Sequence, residues 1–268
     1  MVDLIKTYPG WGWLLMWLVH LVRYLLVAGS FYALYYGWRR HRLAARKIQP
    51  RFPKNTDLRR EIGYSIATTG VFALVSLTLF LTGIRAHTLM YRDWHAYGTA
   101  YGLFSFAALI LLHDTYFYWT HRAMHHPRLF RMMHLVHHKS TNPSPWAAYA
   151  FHPLEAIVEA LIVPLVTFVL PLHLYTVMTF LLFMIVYNVY GHLGWELMPA
   201  RWHRHWLGRW LNTSVNHNQH HQFFNGNYGL YFRWWDEWMG TTRPDYASAL
   251  ERVTTPKQAQ KASEAVMH

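Results

Sequence analysis

Apolar positions in this chain gather in long runs, and the charged residues collect between them. Residues 11–38, 63–84 and 97–119 are each long enough to cross a hydrocarbon core of about 30 Å as a helix. A fourth stretch, 155–190, is interrupted by Pro164, Pro171 and His173, and its length suits two crossings or a tight re-entrant hairpin that the prolines kink or break. Every backbone group in lipid needs an internal partner, so the pattern predicts an all-α membrane bundle of about four spans, or three plus a re-entrant hairpin. The segment STNPSPW, 140–146, is expected to be a loop, because its prolines lack donors and bias the preceding residues to extended backbone.

Charge orients these spans. RRHRLAARK, Arg39 to Lys47, and the basic linker to Arg60 mark the cytoplasmic side, which places the amino terminus outside. The loop from Arg85 to Trp94 is then external, and the third run re-enters the cytoplasm. With an even number of crossings in 155–190, residues 39–60, 120–153 and 195–268 share the cytosolic side. Trp and Tyr anchor both ends of the first run, while Arg23 inside it is expected to snorkel to the interface. No small-residue cleavage site follows Met1 to Gly10, so the first span is expected to be retained. The whole of 1–268 reads as one membrane-embedded domain with a peripheral polar tail over 244–268.

Composition agrees once it is resolved by segment. Apolar residues make up 53% and aromatics 18%, yet mean hydropathy is only +0.01, because 20 His and 25 Lys+Arg lie mostly outside the runs. A net charge of +12 without any recognisable nucleic-acid module points to anionic headgroups, not to nucleic acid. The absence of cysteine excludes disulfides, thiolate-bound zinc, iron–sulfur clusters and a cysteine nucleophile.

Histidine placement carries the chemistry. HDTYFYWTHRAMHHPRLFRMMHLVHH, His113 to His138, holds seven of the twenty histidines. His121 with His125, and His134 with His137 and His138, stand at helical spacings of three and four, so each set is expected to share a face. The spacing returns at His217, His220 and His221. A lone histidine is more often hydrogen-bonded or superficial than ligating. Eight in three matching clusters would leave many imidazole nitrogens without partners, whereas a metal or metal pair satisfies them.

The motifs HRAMH (121–125), HLVHH (134–138), HPLE (152–155), GHLGWE (191–196), HNQHH (217–221), NYG (227–229) and WDEWMGT (235–241) together resemble the fatty acid hydroxylase superfamily, which includes sterol desaturases and sphingolipid and alkylglycerol hydroxylases. The resemblance adds His192 to the eight and implies that these nine histidines hold two non-haem iron ions, with zinc able to replace iron in purified protein. It implies dioxygen as co-substrate and hydroxylation or desaturation of a membrane lipid such as a sterol, fatty acyl chain or sphingolipid. Electrons must come from a separate ferredoxin, cytochrome or reductase docking on the basic cytosolic face, since no flavin- or nucleotide-binding fingerprint is present. The lack of a fused electron carrier favours a bacterial inner membrane over the endoplasmic reticulum.

Several neighbours receive supporting roles. Asp114 and His113 stand two turns before His121 and either orient an imidazole or make a buried polar contact. Glu196 occupies a position where some family members carry histidine, and it is assigned to anchoring an imidazole, with direct ligation as the alternative; Asp236 is placed beside the site in the same supporting sense. His126, His152, His173, His203 and His205 are expected outside the ligand set. The aromatic stretch 228–240 is expected to close the cytosolic cap. Two other classes compete: a membrane metal transporter, whose ligands should sit near the midplane, and a structural zinc-clasped scaffold, whose coordination should be closed.

Overall fold

The computed structural model describes residues 7–255. Helices dominate, and among the described residues β-structure is limited to three isolated bridges. In chain order they are α1 (Pro9–Tyr32), continued by a π-helical turn (Ala33–Trp38), α2 (Asn55–Leu81), α3 (Gly98–Met124), α4 (Pro153–Val166), α5 (Leu174–Gly191), α6 (Ser214–Phe223), α7 (Trp234–Trp238) and α8 (Tyr246–Thr254). Four helical stretches are long and apolar enough to cross a membrane: Pro9–Trp38, Asn55–Leu79, Gly98–Met124 and Leu174–Gly191. The chain is an integral membrane protein with four spans.

Two of these helices outrun the apolar segments that announce them. α2 begins at Asn55, where Asp57 in the first turn accepts from the Lys54 backbone N–H at 3.3 Å. α3 runs on to Met124, and its last turn carries His121 beyond the apolar run. The interrupted stretch 155–190 resolves into α4 and α5. At 14 residues α4 is only about 21 Å long, but it packs against α2 and α3, and its far end meets the loop 85–94. There the Leu89 N–H donates to Thr167 O at 2.8 Å, the Tyr91 N–H donates to Leu172 O at 3.2 Å, and Tyr91 bridges His173. The hairpin therefore reaches the end of the bundle opposite the histidines, and α5 returns the chain to the histidine-bearing face.

Polar groups inside the bundle are matched across helices. The Trp13 indole donates to Gly70 O at 3.1 Å and the Trp17 indole to Thr69 Oγ1 at 3.0 Å. Both indoles lie against the α2 backbone at Gly70, where α1 and α2 pack together. Arg23 corrects the snorkelling expectation: it sits 14 residues into α1, and its guanidinium donates to His20 Nδ1 at 2.8 Å within the bundle. That depth, about 21 Å from the helix start, exceeds a side chain's reach.

The loop 140–151 is buried among α1, α2 and α5. Its exposed-backbone problem is solved by side chains: Tyr24 and Ser65 both donate to Trp146 O, at 2.9 and 2.8 Å, and Asn188 donates to Ala148 O at 2.8 Å. The tail also departs from expectation. α8 buries Tyr246, Ala249, Leu250 and Val253, an i, i+3, i+4, i+7 stripe, against Val215 of α6. The expectation of a peripheral tail is thus wrong for 246–254, because that stripe finds an apolar partner; residues 256–268 lie outside the described part.

The topology is checked with single cysteines on a chain that has none. Arg42→Cys and Gln222→Cys should react with a membrane-impermeant maleimide from one side of the bilayer, and His95→Cys from the other. Labelling of His95→Cys and Gln222→Cys from the same side would break the four-span arrangement.

Candidate metal centre

Four pieces of chain deliver nine imidazoles to one place. α3 supplies His121 and its capping residue His125. The stretch 127–138 is a helical turn started by Pro127, a π-helical turn (Phe130–His134) and a last α-helical turn (Leu135–His138). His192 caps the end of α5, and α6 supplies His217, His220 and His221 after Thr213 caps its start. The nine separate into two groups, His121, His125, His134, His138 and His220 in one, and His137, His192, His217 and His221 in the other. Within each group, ligand-capable atoms lie within 4.8 Å of one another.

The division corrects the expectation that each cluster shares one face. His134 and His138 go to the first group and His137 to the second; His217 and His221 go to the second and His220 to the first. Adjacent helical residues diverge by about 100°, so in both HxxHH motifs the i, i+4 pair stays together while the i+3 ring turns to the other group.

Hydrogen bonds fix which nitrogen faces inward. His121 Nδ1 donates to Tyr228 O at 2.9 Å, His192 Nδ1 to Asn188 O at 2.8 Å, His220 Nδ1 to Gly226 O at 2.8 Å and His221 Nδ1 to Ser140 O at 3.0 Å. His134 Nδ1 donates to Glu155 Oε1 at 2.7 Å, with both side chains buried. A neutral ring that donates from Nδ1 has a bare lone pair on Nε2. Yet His121 Nε2 lies 3.1 Å from His134 Nε2, and His192 Nε2 lies 3.1 Å from His221 Nε2. Each group therefore aims two lone pairs at each other, an arrangement that needs a cation between them.

The spacing suits one. Metal–imidazole bonds of about 2.0–2.1 Å at tetrahedral to octahedral angles put neighbouring nitrogens roughly 2.9–3.4 Å apart, and the second group adds His192 to His217 at 3.1 Å and His192 to His137 at 3.3 Å. Further nitrogens are buried without any partner: His125 Nε2, His137 Nδ1, both nitrogens of His138, and His220 Nε2. At about 1–3 kcal/mol for each unsatisfied group, their combined cost is on the order of 10 kcal/mol, comparable to the net stability of a domain. The donor set, all neutral imidazole, fits iron or zinc.

Glu155 is the functional side chain missing from the sequence-based site. It stands in the HPLE motif and opens α4, but its partner lies 21 positions away, a separation no periodicity reveals. Of the supporting residues, Asp114 and His113 take the second of their two expected roles, a buried polar contact. Asp114 accepts from the Tyr231 and Phe232 backbone and from the Trp234 indole, and touches no imidazole of the two groups. His113 Nδ1 pairs with the Tyr231 hydroxyl at 2.9 Å, on the membrane side of Phe117. Glu196 also lies off both groups: it accepts from the Tyr190 hydroxyl and from the Met198 and Val215 backbone, tying the 191–196 turn to the start of α6. Asp236 accepts from the Tyr228 and Gly229 backbone at 2.8 Å each, and so positions the Tyr228 carbonyl that receives His121. Burial raises the Asp236 carboxyl above its ordinary range.

The remaining histidines lie elsewhere. His126 is exposed, His152 caps α4, His173 donates from Nε2 to Arg92 O, His203 faces Glu251, and His205 stacks on Trp202. Aromatic rings close the cap instead. Tyr228 packs on His121, His125 and His220, and Phe130 on His125, His134 and His138. These faces keep water off the imidazoles.

Burial has a pH consequence. It lowers the His192 imidazole to about 4 and pushes those of His134, His137, His138, His217, His220 and His221 down as well. The unfolded chain takes up protons on these rings near pH 6.5, while the folded rings stay neutral. Metal-free folded protein thus binds fewer protons than its unfolded chain, and its stability falls as pH drops from about 7 towards 4. Thermal melts of chelator-treated protein by tryptophan fluorescence should show the midpoint sliding down across that window; a constant midpoint would contradict the buried neutral state.

Comparison with known proteins agrees with this arrangement. A family model described as fatty acid hydroxylase matches residues 106–241, which contains all nine histidines, Glu155 and Asp236. A Delta(7)-sterol 5(6)-desaturase of Gibberella zeae is 32% identical over 194 residues, covering 72% of this chain and 58% of that protein. The lathosterol oxidase of Homo sapiens is 31% identical over 191 residues, covering 70% and 61%. A further Delta(7)-sterol 5(6)-desaturase, from Aspergillus fumigatus, is 30% identical over 217 residues, covering 74% and 66%. The matched region thus spans 58% to 66% of these relatives' own length. No solved structure matches the chain. Half of the sequence falling within one family model, together with these relatives, places the chain in the fatty acid hydroxylase family.

Proposed function

We propose that this chain is a dioxygen-dependent oxidase that holds two iron ions and desaturates or hydroxylates a membrane lipid of the sterol class. The observation that carries the reading is the pair of opposed bare Nε2 lone pairs, one pair in each histidine group, buried beneath an aromatic cap. His121, His125, His134, His138 and His220 would hold one ion, and His137, His192, His217 and His221 the other. Bound iron supplies the redox change needed to activate dioxygen, which zinc lacks. The sterol class follows from the relatives, whose names describe sterol desaturation and lathosterol oxidation.

The chain's own residues do the rest. Glu155 and the carbonyls of Ser140, Asn188, Gly226 and Tyr228 hold the rings in one tautomer. Tyr228, Phe130 and Phe224 exclude water, which keeps an oxidant from being quenched. Electrons arrive from a separate protein, for which the basic stretch 39–60 on the same face offers a landing surface. Its Lys/Arg excess supports a cytosolic position for this face. Transport is disfavoured, because the histidines gather at one end of the spans and not along a path through them.

Iron-loaded protein given a reductant, dioxygen and sterol should form an alkene or alcohol detectable by mass spectrometry, and zinc-loaded protein should not. Equal turnover with zinc would overturn the oxidase reading. Metal analysis should find two ions per chain, and His137→Ala or His220→Ala should each cost one and abolish turnover while the helical circular dichroism persists. Glu155→Gln should weaken metal retention by the five-histidine group about 10- to 100-fold against a chelator, with the four-histidine group still loaded.

A further inference from the structure

Most rings packed on the nine imidazoles are phenylalanines: Phe117, Phe130, Phe151 and Phe224. Tyr228 is the exception. It contacts His121, His125 and His220 of the five-histidine group at centroid distances of 5.8, 5.0 and 5.6 Å, and among the described residues no other Tyr or Trp ring packs on any of the nine. The difference is chemical, since a phenol or an indole can surrender one electron to a strong oxidant whereas a phenyl ring resists. From Tyr228 a row of such rings leads outward. Tyr228 meets Tyr118 of α3 edge-on at 6.3 Å, Tyr118 stacks on Trp235 of α7 at 5.8 Å, and Trp235 meets Trp238 at 5.4 Å. Tyr118 is fully buried and Trp238 is 62% exposed, so the row joins the metal centre to the surface. Trp119 opens a side branch 5.5 Å from Trp235, but the Arg122 guanidinium lies over it at 6.0 Å and opposes positive charge there.

Tyr118 also has an outlet for its proton. Its hydroxyl accepts from the Arg122 guanidinium at 3.1 Å, and the Thr241 hydroxyl, 3.0 Å away, donates onward to Asp236 Oδ1 at 2.7 Å. The Tyr118 hydroxyl is therefore left to donate to Thr241. Asp236 accepts at both oxygens, from the Tyr228 and Gly229 amides as well as from Thr241, which marks it as an ionised carboxylate at the end of the relay. Burial, by raising that carboxyl, makes it the better proton acceptor. A phenol that sheds its proton as it loses an electron avoids building positive charge in a buried site. Ring packing alone requires no such relay.

We propose that Tyr228, Tyr118, Trp235 and Trp238 form a conducting row that drains an oxidant generated at the metal centre when no lipid is bound, and so protects the imidazoles from oxidation. The oxidant's origin rests on the oxidase reading. Each event moves one electron inward along the row and one proton from the Tyr118 hydroxyl through Thr241 to Asp236. Trp238 is left one electron short. A small reductant of the thiolate class restores it at the surface and leaves as a thiyl radical, and the proton returns to Tyr118 as that ring is reduced. The row does not serve the ordinary electron donor, because a mild donor neither reduces nor oxidises these rings. The motifs NYG and WDEWMGT thereby gain a role beyond closing the cap, since between them they supply Tyr228, Trp235, Asp236, Trp238 and Thr241.

Radical trapping tests the row apart from turnover. Iron-loaded protein in nanodiscs without sterol is given hydrogen peroxide and a nitroso spin trap, and adducts are mapped by mass spectrometry. Trp238 should carry the adduct in preference to Trp206, although Trp206 is the more exposed at 74%, and zinc-loaded protein should carry none at Trp238. Tyr118→Phe should lose the Trp238 adduct and gain oxidised histidine among the nine, with helical circular dichroism and initial metal content unchanged. Thr241→Val, which removes the relay hydroxyl, should lose the adduct as well, and Trp238→Phe, at an exposed position, should shift it back to Trp235. An adduct that follows exposure, persists in Tyr118→Phe or forms equally with zinc would overturn the proposal, as would its absence from iron-loaded protein. Trp238 labelling without oxidation of a supplied sterol would leave the row standing and remove the lipid-oxidase reading; sterol oxidation without labelling would do the reverse.

Discussion

Everything on the histidine-bearing face follows from one electrostatic constraint: neutral imidazoles whose Nδ1 protons are committed to fixed acceptors must point bare Nε2 lone pairs at one another. Such pairs repel and, when buried, cannot be relieved by water. Protonation offers no escape, because burial disfavours the imidazolium. A cation in each group removes the conflict, and the cap's folding is then coupled to metal binding. The membrane helices are not subject to this coupling, since each satisfies its own backbone.

The acceptors that enforce the constraint come from irregular backbone. The carbonyls of Ser140, Gly226 and Tyr228 belong to loops, and Asn188 offers its carbonyl in the last turn of α5, where helical partners run out. Loops hold such positions only when their own polar groups are tied down. Asp236 does this for 228–229, Asp114 for 231–232, and Glu196 for the start of α6. Three buried carboxyls thus act through backbone amides, one step removed from the imidazoles. Each is isolated from the histidine groups by the segment it anchors, which explains why Asp114 takes the buried polar contact, one of its two expected roles, and why Glu196 does not anchor a ring as expected.

What was legible in the sequence was whatever local periodicity or composition encodes. Runs of apolar residues expose the spans, and HRAMH, HLVHH and HNQHH expose the imidazoles by their spacing. Periodicity is silent about pairings between distant segments. Glu155 with His134 and Asp114 with Tyr231 depend on how helices meet, and the motif HPLE marks Glu155 without naming its partner. Arg23 was misjudged for the same reason, since a lone cation in an apolar run looks like an interfacial anchor until the helix's depth and His20 are known. α8 was missed because its apolar stripe is short and surrounded by polar residues, although its spacing of three and four was present in the chain.

The crosswise sharing of ligands makes the two groups one mechanical unit. The 127–138 stretch contributes two rings to the five-histidine group and one to the four-histidine group, while α6 contributes one and two. Neither α6 nor the 127–138 stretch can turn to improve one group without disturbing the other, because in each the adjacent i+3 and i+4 rings, about 100° apart, serve different groups. α3 and the end of α5 then each pin one group to a membrane span through His121 and His192. The separation between the two groups is therefore fixed by α-helical geometry and not by a flexible loop, which is the kind of preorganisation that two-metal chemistry on a single small molecule requires.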